Sequence, residues 1–218
     1  MKWVRSPSWG LLGVAMLLHG CTSAPTRFHT LAPMPPATAP AAGESGGTPT
    51  PCGSTKPASP ERLDSILLEH AAVPAEVDRM QLVLHETSTR LTIRETDRWA
   101  APLRDQISNV LVADLHQVLP AASVSNNRRV VGSATPLRLN VDIDEFSALA
   151  GQEATVRARW KVTSAADDIS QVGEYTSRQP VPNTQLDGVV LAWSRGLAEV
   201  SSAIAASLRC PVDAGTSR

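Results

Sequence analysis

Residues 137 to 162 most narrow what this chain can fold into. "LRLNVDID" (137–144) places Leu137, Leu139, Val141 and Ile143 on one side of an extended backbone, with Arg138, Asn140, Asp142 and Asp144 on the other. "ATVRARWKV" (154–162) repeats the alternation, with Val156, Ala158, Trp160 and Val162 against Arg157, Arg159 and Lys161. The polar face of one segment is acidic and that of the other basic. Joined through "SALAGQE" (147–153), they predict an antiparallel pair whose opposite charges meet, each exposed pair adding about 0.2–1 kcal/mol to the register. A sheet with one polar face suits an antiparallel arrangement and leaves that face open to a partner.

The remaining periodicities extend this plan. "SILLEHAAVP" (65–74) reads as a strand ended by Pro74. "MQLVLHETSTRLTIRE" (80–95) reads as a hairpin turning near Thr87 to Thr89, with Met80, Leu82, Leu84, Leu91 and Ile93 expected inward. Leu103, Ile107, Val110, Leu111, Leu115 and Val118 recur at helical spacing, leaving Arg104, Asp105, Asn109 and His116 off the stripe. A third strand is expected around "QVGEYTS" (171–177). A second helix carries Leu186, Val190, Trp193, Leu197, Val200, Ile204 and Leu208. The order strands, helix, strands, helix predicts an α+β fold in which two helices cover one face of a largely antiparallel sheet.

The N-terminus is of another kind. Lys2 and Arg5 precede the apolar run Trp9 to Leu18, too short to span a bilayer and laid out as a secretory signal. It ends in "LLHGC" (17–21), which resembles the lipobox of bacterial lipoproteins, with His19 an unusual occupant. The resemblance implies a signal peptide over residues 1–20 and acylation of Cys21, an anchor that tethers without crossing the membrane. Thr22, where an Asp would retain a lipoprotein at the inner membrane, implies the outer membrane and a domain facing the periplasm. With Cys21 acylated, Cys52 and Cys210 remain as an even pair in an oxidising compartment and are the candidate disulfide.

Residues 33–60 hold eight prolines among Gly, Ser, Thr and Ala, with no apolar period. As a tether, residues 22–61 would span roughly 35 Å as a random coil. Alternatively "FHTL" (28–31) is already an edge strand and the proline-rich stretch an inserted loop. The expected organisation is therefore 1–20 signal peptide, 21–61 acylated N-terminus with its proline-rich segment, 62–210 one α+β domain, and 211–218 a C-terminal tail.

Catalytic patterns are missing from the sequence. The histidines beyond the signal, His29, His70, His85 and His116, form no H-E-x-x-H or H-x-H, and there is no C-x-x-C, G-x-S-x-G or glycine-rich phosphate loop. No metal or other cofactor is expected. Asp142, Asp144 and Glu145 read as a solvated strand face, and Asp167 and Asp168 as turn residues. The formal net charge of -1, with no Lys/Arg-rich run, argues against a nucleic-acid partner.

"ETDRWAAPLRDQISNVLVADLHQVLP" (95–120) resembles the PqiC/YmbA family of ABC-type transport auxiliary lipoproteins, in which a block matching Asp97, Trp99, Ala100, Pro102 and Leu103 leads into a helix. The aromatic-x-Thr-Leu segment at Phe28 to Leu31, the Val73-Pro74 pair, "LNVDIDEF" and "ARWKV" follow the same family order, while residues 33–60 are longer than its pattern. The resemblance implies a non-enzymatic, outer-membrane-anchored subunit of a Pqi-type lipid-transport or envelope-integrity system. Its implied partner is a PqiB-like MCE-domain periplasmic protein, and a homo-oligomer is compatible with it. Two other functions fit the sequence: a stand-alone periplasmic module binding lipid or another apolar ligand, and an outer-membrane assembly factor. Pro102 is expected in the first helical position of a helix starting near Ala101, where its missing N–H costs nothing. Trp99, Trp160 and Trp193 are expected in the core rather than at an interface.

Overall fold

The structure is a computed structural model that describes residues 24–34, 65–87, 89–127, 136–164, 170–181 and 184–209. In chain order it forms β1 (Arg27–His29), β2 (Ser65–Ala72), β3 (Gln81–Thr87), β4 (Arg90–Trp99), α1 (Leu103–Val118), β5 (Ser123–Ser125), β6 (Leu137–Ala148), β7 (Glu153–Thr163), β8 (Ser170–Pro180) and α2 (Leu186–Arg209). The fold is α+β, as the periodicities predict.

The strands divide into two sheets. A five-stranded sheet has the order β5-β2-β6-β7-β8, and a three-stranded sheet the order β1-β4-β3. The β6/β7/β8 meander is antiparallel, whereas β2 pairs in parallel with both β5 and β6, and β1 in parallel with β4. Ile66, Leu67 and Leu68 are consecutively buried, the pattern of a strand covered on both faces, so β2 suits this interior position. A strand, β1, precedes the proline-rich residues in sequence and joins β4.

The charged strand pair meets as its alternation requires. Asp142 opposes Arg159 and Glu145 opposes Arg157, with a register shift between Ile143 and Glu145 that leaves Asp144 as the extra residue. Arg159 grips Asp144 with two hydrogen bonds of 2.6 and 2.7 Å, and these hold the Asp144 carboxyl below its usual range. Exposed as Arg159 is, the pair sets register more than it stabilises. The opposite face of β6 and β7, with Leu139, Val141, Val156 and Ala158, lies in the core.

α1 and α2 bury their predicted stripes, and α2 packs on β7 and β8. Two glycines permit close approach. A side chain at Gly173 on β8 would overlap the Trp160 ring, which crosses this position to donate a 3.1 Å bond to Ser207 Oγ. At Gly196 a Cβ would come within 2.8 Å of Val156 Cγ2.

Two local expectations are corrected. Leu91 and Ile93 are 41% and 42% exposed, because the hairpin register places Thr92 opposite Leu84 and Arg94 opposite Leu82, which turns Leu91 and Ile93 to the other face. Met80, just before β3, is also exposed. Pro102 occupies the N-cap, one place earlier than expected: its ψ of 131° is extended, and α1 begins at Leu103. The Pro102 carbonyl accepts from the N–H groups of Asp105 and Gln106 at 3.0 and 3.1 Å, while Ala101, preceding a proline, is disfavoured from helical geometry.

Gly173→Val and Gly196→Val should each destabilise the domain by about 1–3 kcal/mol through overpacking. Urea denaturation followed by circular dichroism measures this, and an unchanged midpoint would contradict the close approaches.

Candidate functional site

A cluster of charged groups around two buried side chains, His29 and Asp97, lies where β1, the end of β4 and the start of α2 meet. The alternation of β1 turns Phe28 out and His29 in. Its parallel register sets Arg27 beside Asp97 and His29 beside Trp99. Asp97 has no exposed surface. Its Oδ1 is 3.3 Å from both Arg27 Nε and His29 Nε2, and its Oδ2 is 3.7 Å from Arg94 Nε and accepts from Thr96 Oγ1 at 3.4 Å. A carboxylate so far from water requires such partners.

The other imidazole nitrogen of His29, Nδ1, lies 3.4 Å from Oδ1 of Asp187 in the first turn of α2, where an acid also suits the helix dipole. Both ring nitrogens thus lie near carboxylates. Arg27, His29, Arg94, Thr184, Gln185, Leu186 and Asp187 border an open cleft of about 400 Å³. A second cleft of about 310 Å³ lies between Leu84, Glu86, Thr92 and Arg94 of the hairpin and the β6–β7 turn. Among the described residues, no group of three or more His, Cys, Asp or Glu could hold a metal ion.

Beyond β1 the chain runs over both helices and is held by three buried polar side chains. Leu31 N–H donates to Gln106 Oε1 at 2.9 Å, Ala32 N–H to Ser194 Oγ at 3.2 Å, and Met34 N–H to Asp114 Oδ1 at 3.0 Å. Gln106 also donates from Nε2 to the Ala101 carbonyl at 2.8 Å, joining this strap to the turn that starts α1. Burial pushes the Asp114 carboxyl up to about 7, partly opposed by the Met34 N–H, and its Oδ2 has no hydrogen-bond partner.

The block from Asp97 to Leu103 forms the other wall. Trp99 is 2% exposed, with its ring centroid 5.8 Å from that of Trp193. Trp193 stacks on Phe146 at 4.6 Å and donates from Nε1 to the Ser147 carbonyl at 2.9 Å. Trp99, Trp160 and Trp193 are all core residues. Ala100 N–H donates to the His29 carbonyl at 2.8 Å, Pro102 caps α1, and Leu103 is buried. Cys21, Cys52 and Cys210 lie outside the described residues.

Sequence reasoning missed Arg27, Arg94, Gln106, Asp114, Asp187 and Ser194. For two of them a signal exists: Gln106 and Asp114 are polar residues eight positions apart, interleaved with the apolar stripe of α1. Nothing local marks the others, which matter only because β1 arrives beside β4.

The protein-family model described as ABC-type transport auxiliary lipoprotein component matches residues 47–205. The crystal structure of an uncharacterised protein is similar over 85% of this chain and 99% of its own, at 18% identity and a TM-score of 0.66. A Xanthomonas campestris protein of family DUF330 is similar over 65% of this chain and 81% of its own, at 17% identity and a TM-score of 0.52. No curated protein matches the sequence significantly.

Asp114 supplies a pH test of the strap. The folded carboxyl keeps its proton up to about pH 7, whereas in the unfolded chain it is released near the ordinary value of 3.8. The folded state therefore holds the extra proton, and the Asp114 contribution to stability declines from about pH 4 to about pH 7, then levels off. Asp114→Asn, which keeps an acceptor for Met34, should remove this component and exceed the natural chain in stability by about 1–3 kcal/mol above pH 7. Melting both proteins across pH checks it; parallel pH profiles would contradict the buried carboxyl.

Proposed function

Because this chain belongs to the ABC-type transport auxiliary lipoprotein component family, we propose that it is a non-enzymatic, membrane-anchored subunit of an envelope transport system. In this reading Cys21 carries the acyl chains in the periplasmic leaflet of the outer membrane. The folded domain docks an MCE-domain protein of a Pqi-type system that moves lipid or maintains the envelope. The Asp97 to Leu103 block builds the domain that docks rather than performing chemistry. A Cys52–Cys210 disulfide would join the proline-rich connection to the end of α2.

The observation that carries the anchored reading is the position of β1. Arg27 is six residues beyond Cys21, and an extended chain of that length reaches at most about 20 Å. A lipid on Cys21 thus holds the folded domain beside the membrane, clamped through Asp97 and the strap. α2 is long and apolar enough to cross a bilayer, yet 61% of its most apolar window is buried as core, which leaves the acyl chains as the proposed attachment.

Tagged full-length protein and its Cys21→Ala variant, purified from membranes of the cell of origin, test this reading. The natural chain should float with membranes and bring down an MCE-domain protein. Cys21→Ala should leave the membrane fraction but retain the partner in detergent extract. If no envelope transporter is captured by either protein, the docking role fails; if Cys21→Ala stays on the membrane, the anchor fails. Mass spectrometry of non-reduced mature protein tests the disulfide, which two free thiols would exclude.

A further inference from the structure

The three-stranded sheet turns one side to the core, and large exposed apolar side chains lie on the other. Trp99 and His29 oppose each other on the inner side. On the outer side the pairings place Phe28 and Gln81 beside Arg98, Val83 beside Ile93, and His85 beside Leu91. Phe28, 67% exposed and beside Arg98, and Ile93 and Leu91, 42% and 41% exposed toward the hairpin tip, thus lie on the same side of the sheet. An apolar surface drawn from neighbouring strands calls for an occupant.

The chain's own proline-rich connection is poorly suited to cover it. Residues 35–64 contain one large apolar side chain, Leu63, and no aromatic residue. The direction of β1 points elsewhere. Because β1 runs parallel to β4, the residues before Arg27 approach from the hairpin tip, the end that carries Leu91 and Ile93. Cys21 is six residues from Arg27, so the chain between them reaches at most about 20 Å.

We propose that the outer face of the three-stranded sheet rests on the lipid surface that holds the Cys21 acyl chains, with Phe28, Leu91 and Ile93 inserted among the headgroups. This inference rests on the acylation of Cys21. It gives the domain a fixed orientation: hairpin and β1 toward the bilayer, and β8, at the far edge of the other sheet, away from it.

Tryptophan quenching tests the orientation. The mature chain's own tryptophans, Trp99, Trp160 and Trp193, are 2%, 5% and 1% exposed and give a shielded background. Full-length acylated protein carrying Ile93→Trp or Phe28→Trp is reconstituted into phosphatidylethanolamine–phosphatidylglycerol vesicles with and without acyl-brominated lipid. Val172→Trp, at a position 73% exposed on β8, is the control. The new tryptophans at 93 and 28 should lose most of their emission to bromine, and that at 172 almost none.

Protein that floats with the vesicles but shows no quenching at 93 and 28, or equal quenching at all three positions, overturns the inference and leaves the anchor intact. Protein that does not float overturns both. A blue shift at 93 without bromine quenching that grows with protein density assigns the face to a second copy, and one that needs added MCE-domain partner assigns it to that partner; either result overturns the lipid surface.

Discussion

Asp97 is the residue on which the arrangement turns. A carboxylate stripped of water costs several kcal/mol unless charge and hydrogen bonds replace the solvent, and here the replacements come from β1 and from β4 itself. His29 then extends the contact to Asp187 at the start of α2. One buried acid therefore links the first described strand to the three-stranded sheet, with His29 carrying the link to the last helix. Trp99, two residues on, packs against Trp193 of that helix. Polar and aromatic contacts thus fasten the same corner in adjacent layers. The ion pairs fix direction, whereas the rings bury large apolar side chains in the core.

The strap continues the same logic over α1. An extended segment crossing two helices has backbone N–H groups that would otherwise be buried without acceptors, and Gln106, Ser194 and Asp114 accept three of them. This accounts for polar side chains in helix positions that could have carried leucine. It also accounts for the raised proton affinity of Asp114, since one hydrogen bond is a poor substitute for hydration and its other oxygen has none.

Much of this was legible in the sequence where the information is local. Period-two and period-3.6 patterns identified the long strands, both helices and the opposed charges of β6 and β7, because each pattern reports which face meets the core. Two things escaped it. Leu91 and Ile93 follow the same alternation as buried residues, but a strand's period cannot say which of its faces turns inward; that depends on register with β3. The clamp and strap escaped because their partners are distant, His29 and Asp97 being 68 residues apart and Ala32 and Ser194 162 apart. "FHTL" could be suggested as a strand, yet nothing in three residues of β1 names β4 as its neighbour.

That distance has a consequence for how the domain is built. The family match begins at residue 47, after β1, yet Leu31 is part of the buried core. The N-terminal segment is therefore both a connection to whatever precedes it and a structural layer of the domain. Contacts of such long range form only after the elements they join are in place, since the entropy of closing the intervening chain is lost before they reward it. β1 and the strap are thus expected to dock late, onto a platform of α1, α2 and β4 that already presents Asp97, Gln106, Ser194 and Asp114. A chain held near a membrane by residues close to β1 would complete its fold at that surface. The orientation of the domain and the closure of its last layer would then be set by the same few contacts.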